Sequence, residues 1–182
     1  YNILNEPTPE KAFRPSLAQE KNIVGWYKTV ENSAADLNKF NRTVVNAIRE
    51  VDNTTPIILD CGNWASAASI PYLNPLSDTN ILYAFHMYEP FDYTNLKANK
   101  GRFTYPEKNF IDDTEEDNKK VQAIDLNKKT LESLVAPVVE WQRNHNIPSN
   151  RIVVEEFGCN RMTKGADRYL GDLISIFNQQ HW

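Results

Sequence analysis

Short apolar runs alternate with longer amphipathic stretches along this chain, and that alternation limits the fold more than any other feature. Residues 57–60, 81–88 and 151–156 are apolar runs of strand length, rich in β-branched and aromatic side chains. Residues 1–7 read as a further strand stopped by Pro7, whose ring removes a ladder donor. Between these runs the period changes to that of a helix. Over 33–51, Leu37, Phe40, Val44, Ile48 and Val51 recur every three or four residues, with Ser33 placed to cap the start. Residues 126–144 predict a second helix in which Pro137 implies a kink or a late start. A last helix is expected over 166–179, with Tyr169, Leu170, Leu173, Ile176 and Phe177 on one side. The order is therefore β-α-β-(short helix or loop)-β-α-β-α, an α/β pattern with parallel strands and right-handed crossovers. The nearly continuous apolar strands suit a sheet covered on both faces.

Composition narrows the classes of function. The chain has 182 residues, 41% hydrophobic and 24% charged, which suits one domain with a real core. Twenty-four acidic against 20 basic residues leave a net charge of −4, not the basic surface that nucleic-acid binding needs. No stretch approaches the roughly 20 apolar residues of a membrane span. Residues 1–7 lack the charged start and apolar core of a signal peptide. Cys61 and Cys159 make neither a disulfide framework nor, without clustered ligands, a zinc site. The acidic run 112–117 reads as a solvated loop face.

In parallel α/β folds the working residues sit at the carboxyl ends of strands. All four expected strands end in polar or ionisable groups. The first ends in Asn5-Glu6, and the second in Asp60 with Asn63 and Trp64 beyond. The third ends in His86-Met87-Tyr88-Glu89, the fourth in Glu155-Glu156. Side chains alternate along a strand, so Leu82, Ala84, His86 and Tyr88 share one face and point His86 and Tyr88 at a common mouth. Only one of Glu155 and Glu156 can share that face, and periodicity does not choose between them.

Asn5-Glu6-Pro7, His86-Met87-Tyr88 and Glu156-Phe157-Gly158, in that order and each ending an expected strand, resemble glycoside hydrolase family 5, the retaining cellulases and mannanases. Residues 80–91 resemble its bacterial cellulase-like branch. The resemblance implies a (β/α)8 barrel, of which residues 1–182 would form one partial domain running from strand four to helix seven. It implies that Glu6 is the acid/base, Glu156 the nucleophile and Asn5 the partner of the sugar 2-hydroxyl. His86 and Tyr88 match the strand-six pair, with Tyr88 expected to hydrogen-bond the nucleophile. Glu155 stands where the family commonly has a small residue and is expected to face the helix layer. Trp26, after the first strand, and Trp64, after the second, are candidate stacking platforms for a sugar ring. Trp141 lies on a helical stripe and is expected in the core.

Such a site needs two carboxylates in different states, about 5–5.5 Å apart across the scissile bond, and no metal or organic cofactor. The expected function is hydrolysis of internal β-1,4-glucosidic bonds in a polysaccharide or oligosaccharide, with neither nucleic acid nor membrane as partner. A β-mannanase or other hemicellulase on the same scaffold and a non-catalytic carbohydrate-binding fragment are the alternatives. The missing barrel strands imply weak activity of these residues alone, or complementation by those strands or by self-association. A secreted parent protein is expected from the resemblance.

Overall fold

In the computed structural model, which describes residues 1–13, 24–112 and 121–182, the apolar runs are strands. β1 (Ile57–Asp60), β2 (Ile81–Met87) and β5 (Ile152–Phe157) form a sheet in the order β1-β2-β5. β1 and β2 run parallel, with Ile57 beside Ile81 and Asp60 beside Ala84. β2 is the middle strand, and Ile81, Tyr83, Ala84, Phe85 and Met87 are completely buried. That burial is what a parallel strand covered on both faces requires. The helices are α1 (Pro9–Phe13), α2 (Val24–Thr29), α3 (Leu37–Arg49), α7 (Lys128–Asn144) and α8 (Ala166–Gln180), joined by the short turns α4 (Gly62–Ala65), α5 (Phe91–Thr94) and α6 (Leu96–Asn99). Pro137 lies inside α7, which starts at Lys128.

Three expectations change. Residues 1–7 are not a full strand: Asn2 forms one parallel bridge to Ile58, and Ile58 N donates to Tyr1 O at 2.7 Å. The Asn2 side chain then accepts from Leu4 N at 3.1 Å, a local bond that competes with the ladder and turns the backbone away. The cap of α3 is Asp36, which accepts from Lys39 N at 3.1 Å, while Ser33 accepts from Ala35 N in the turn before it. Where the sequence reads as a polar loop, β3 (Glu107–Asp112) and β4 (Val121–Leu126) pair antiparallel. Charged residues inside both strands break the apolar run that would have marked them. Asp112 ends β3, and the rest of the acidic run lies outside the described residues.

The backbone divides into two compact units, residues 1–86, 137–155 and 182 in one and 87–136 and 156–181 in the other. In the first, Trp141 is core as expected: it meets Tyr83 edge-on with ring centroids 5.0 Å apart and donates its indole N–H to Leu73 O at 2.9 Å. Arg151 closes the same layer by donating to Ile81 O and Asp78 O.

The second unit is built on three buried tyrosines, Tyr93, Tyr105 and Tyr169, whose ring centroids lie 5.3–5.9 Å apart. Burial pushes all three phenols above their usual range, so each stays a donor. Their hydroxyls donate to Lys164 O, Asp172 Oδ2 and Glu89 O respectively. Gly165 fits against this cluster only because it lacks a side chain: its φ is +80°, and a Cβ there would run into the Tyr105 carbonyl. Gly165→Ala is therefore expected to cost about 2 kcal/mol or more. A lowered urea midpoint with an unchanged slope checks it.

Candidate active site

The candidate residues of β1, β2 and β5 lie in the last residues of each strand. In the first unit, His86 occupies the penultimate position of β2 and is 2% exposed. Its ring is held between two carboxyl groups. Nδ1 lies 3.1 Å from Glu6 Oε1, and Nε2 lies 3.7 Å from Asp60 Oδ2. Glu6 itself adopts φ 47°, the left-handed region that side chains rarely take. Its N–H donates to Asp60 Oδ2 at 3.0 Å, which anchors that conformation. Asn5 is exposed at the bend just before it.

Asp60 ends β1 and is 3% exposed. Burial pushes its carboxyl up to about 6; the Glu6 N–H pulls against that rise, and the Glu155 carboxylate adds to it. Asn2 joins the two acids, its side-chain amide lying 3.0 Å from both Glu155 oxygens and 3.5 Å from Asp60 Oδ1. Glu155 therefore does not face the helix layer. An amide donor beside Asp60 satisfies its carboxylate better than an apolar helix surface could. Asp60, His86 and Glu155 each offer a metal-ligand atom within 4.8 Å of the others. Asp60 and Glu155 already accept protein donors there.

In the second unit, the Tyr88 hydroxyl donates to Glu156 Oε2 at 3.0 Å. The expected pair is thus formed. Thr94 fixes the tyrosine from behind by donating its hydroxyl to Tyr88 O at 2.5 Å, and Gly158 N donates to Met87 O at 3.3 Å.

The two tryptophans part company. Trp64 is 40% exposed on a turn where Asn63, Trp64 and Ala65 all have positive φ, and Lys11 Nζ lies 5.6 Å from its ring centroid. Trp26 is 6% exposed in α2, packed with Ala35 and edge-on to Tyr27. An indole enclosed in this way offers no face to a sugar. In the connection after β2, Tyr93 and Phe103 are buried and Phe91 is exposed. Asp60, Asn2 and Thr94 carry contacts that the sequence reading assigned to none of them. Asp60 had a signal, a carboxylate closing an apolar strand; Asn2 and Thr94 had none.

The family model for cellulase (glycosyl hydrolase family 5) matches residues 1–181. The chain belongs to glycosyl hydrolase family 5. Endoglucanase C of Acetivibrio thermocellus is 35% identical over 71 residues, 39% of this chain and 21% of that protein. Endoglucanase 3 of Fibrobacter succinogenes is 35% identical over 54 residues, 30% of this chain and 8% of that protein. The structure of endoglucanase Cel5A from Thermotoga maritima superposes with a TM-score of 0.67 at 18% identity, over 100% of this chain and 48% of that one. The chain thus spans about half the length of the solved family 5 structure. The fold is part of a (β/α)8 barrel, with β1, β2 and β5 as barrel strands.

The raised Asp60 carboxyl fixes a sign for stability. The folded state holds its proton more tightly than the unfolded chain does, so this contribution is full below about pH 4 and lost as pH rises through about 6. The loss is expected to reach roughly 2 kcal/mol. Asp60→Asn removes this component, so its stability relative to the native chain should improve between pH 4 and pH 7 in urea titrations.

Proposed function

We propose that the protein carrying this chain is a retaining glycoside hydrolase that cleaves internal β-1,4-glucosidic bonds of cellulose or related β-glucans. Glu156 is the nucleophile and Glu6 the acid/base. The observation that carries the reading is the Tyr88 hydroxyl on Glu156 Oε2, a donor that orients a carboxyl group near the end of β5. The His86 contact supports Glu6 in turn, by holding its carboxyl against a ring nitrogen at 3.1 Å.

Glu156 attacks the anomeric carbon while Glu6 gives its proton to the departing glycosidic oxygen. A glycosyl-enzyme ester on Glu156 results. Glu6, now ionised, takes a proton from water, which displaces Glu156 from the sugar and restores both groups. Asn5 holds the sugar 2-hydroxyl, and Trp64 supplies an aromatic face beside the site. Trp26 takes no place in the reaction. An insoluble polymer is met outside the cell, so the reading carries a secreted protein with it.

A second reading keeps the chemistry and changes the sugar. Thermotoga maritima Cel5A, which superposes with a TM-score of 0.67, has been solved with mannotriose as substrate. A β-mannan substrate is therefore the alternative, and a panel of cellulose, mixed-linkage glucan and mannan separates the two. A non-catalytic sugar-binding chain would bind that panel without turnover.

Glu6→Gln and Glu156→Gln are tested in the longest natural protein that carries this chain. Each is expected to lower hydrolysis of carboxymethylcellulose by at least about 1,000-fold. Normal activity in either variant would refute the assignment. Tyr88→Phe removes one donor to the nucleophile and is expected to cost about 10- to 100-fold in kcat.

A further inference from the structure

We propose that Asp60 is a positioning residue for Glu6, holding it by its backbone N–H and standing behind the His86 ring that meets its carboxyl group. The proposal rests on the reading of Glu6 as the acid/base. One oxygen of Asp60 makes both approaches. Oδ2 accepts the Glu6 N–H at 3.0 Å and lies 3.7 Å from His86 Nε2, while His86 Nδ1 lies 3.1 Å from Glu6 Oε1. The Nε2 approach is longer than a hydrogen bond, so the hold on Glu6 is the backbone one, and the Asp60 carboxyl adds its charge behind the ring.

The backbone arm bears on direction. Glu6 has φ 47°, which a residue with a side chain keeps only where its surroundings hold it. The N–H bond to Asp60 is such a hold. Without it, φ returns to its ordinary negative range and the Cα–Cβ vector swings, taking the carboxyl away from the leaving oxygen. An acid catalyst displaced by about 1 Å loses about 100-fold in rate. Asp60 is suited to the task because it cannot easily move. It is 3% exposed, its backbone is in register with Ala84 of the buried middle strand, and its second oxygen is 3.5 Å from Asn2 Nδ2. The same burial keeps it from the substrate, so it acts through Glu6 and not on the sugar.

A purely structural role would slow every substrate alike, whereas a role exerted through the acid depends on the leaving group. A dinitrophenyl glycoside departs as a stable anion and needs no proton from Glu6. An unactivated oligosaccharide needs one. kcat/KM covers the steps up to the glycosyl-enzyme and is the quantity to compare, on the glycan class that the native protein turns over, in the longest natural protein carrying the chain. Asp60→Ala is expected to lower kcat/KM about 100-fold on the oligosaccharide and less than about 3-fold on the dinitrophenyl glycoside. Asp60→Asn keeps an oxygen acceptor for the Glu6 N–H and loses the charge beside His86, so it should show the same discrimination with a smaller loss. It also serves where the alanine variant does not fold. Equal losses on both substrates in the asparagine variant, or no loss on either, would overturn the proposal. Glu6→Gln is the separate arm: if it fails to discriminate between the two substrates, the acid/base reading of Glu6 falls, whatever Asp60 does.

Discussion

A single imidazole ring between two carboxyl groups organises the polar end of the first unit. His86 is 2% exposed and stands at the end of the completely buried part of β2, so water cannot satisfy its nitrogens. Two carboxyl groups approach the ring from opposite directions: Glu6 meets Nδ1 at 3.1 Å, and Asp60 stands 3.7 Å from Nε2, beyond hydrogen-bond length. Everything nearby follows from that demand. Asp60 must end β1 in register with β2. The chain around Asn2 must bridge to Ile58, and Glu6 must take a left-handed turn to present its carboxyl to the ring.

The second unit answers a different problem with different chemistry. Its core is aromatic, and the three tyrosines that fill it each carry a hydroxyl that has to be satisfied. Backbone carbonyls at Lys164 and Glu89 and the carboxylate of Asp172 accept those protons. The segments that supply these acceptors also hold candidate site residues. Tyr88 precedes Glu89, and Thr94 follows Tyr93 and holds the Tyr88 carbonyl. Packing of the tyrosine cluster thereby sets the place from which Tyr88 reaches Glu156.

Strand 81–87 was legible because a strand buried on both faces must be apolar, and 57–60 and 152–157 because each opens on a run of Ile, Leu or Val before its carboxylates. The pairings of His86 with Glu6 and of Tyr88 with Glu156 concern residues that could be singled out in advance, because ionisable groups closing apolar strands are costly without a use. Glu155 was misjudged for a physical reason. Alternation separates Glu155 from Glu156 but does not say what each face meets. A donor on a different segment, Asn2, decides where the Glu155 carboxylate goes. Trp26 shows the same limit. An indole near a strand end reads alike as platform or core until the packing of Ala35 and Tyr27 around it is known.

By itself the sequence determined the class of fold, the three strands of the parallel layer, the longer helices, the family and the carboxylates near the strand ends. These depend on local period and residue type, which any short window carries. Only the tertiary structure decided the left-handed turn of Glu6, the burial of Asp60, the bridge from Asn2 to Glu155 and the enclosure of Trp26. Each of those joins segments far apart in the chain, such as residues 2 and 155 or 6 and 60. Such a contact depends on how distant surfaces meet, and hydrophobic periodicity along one stretch says nothing of the side chain that will arrive from another.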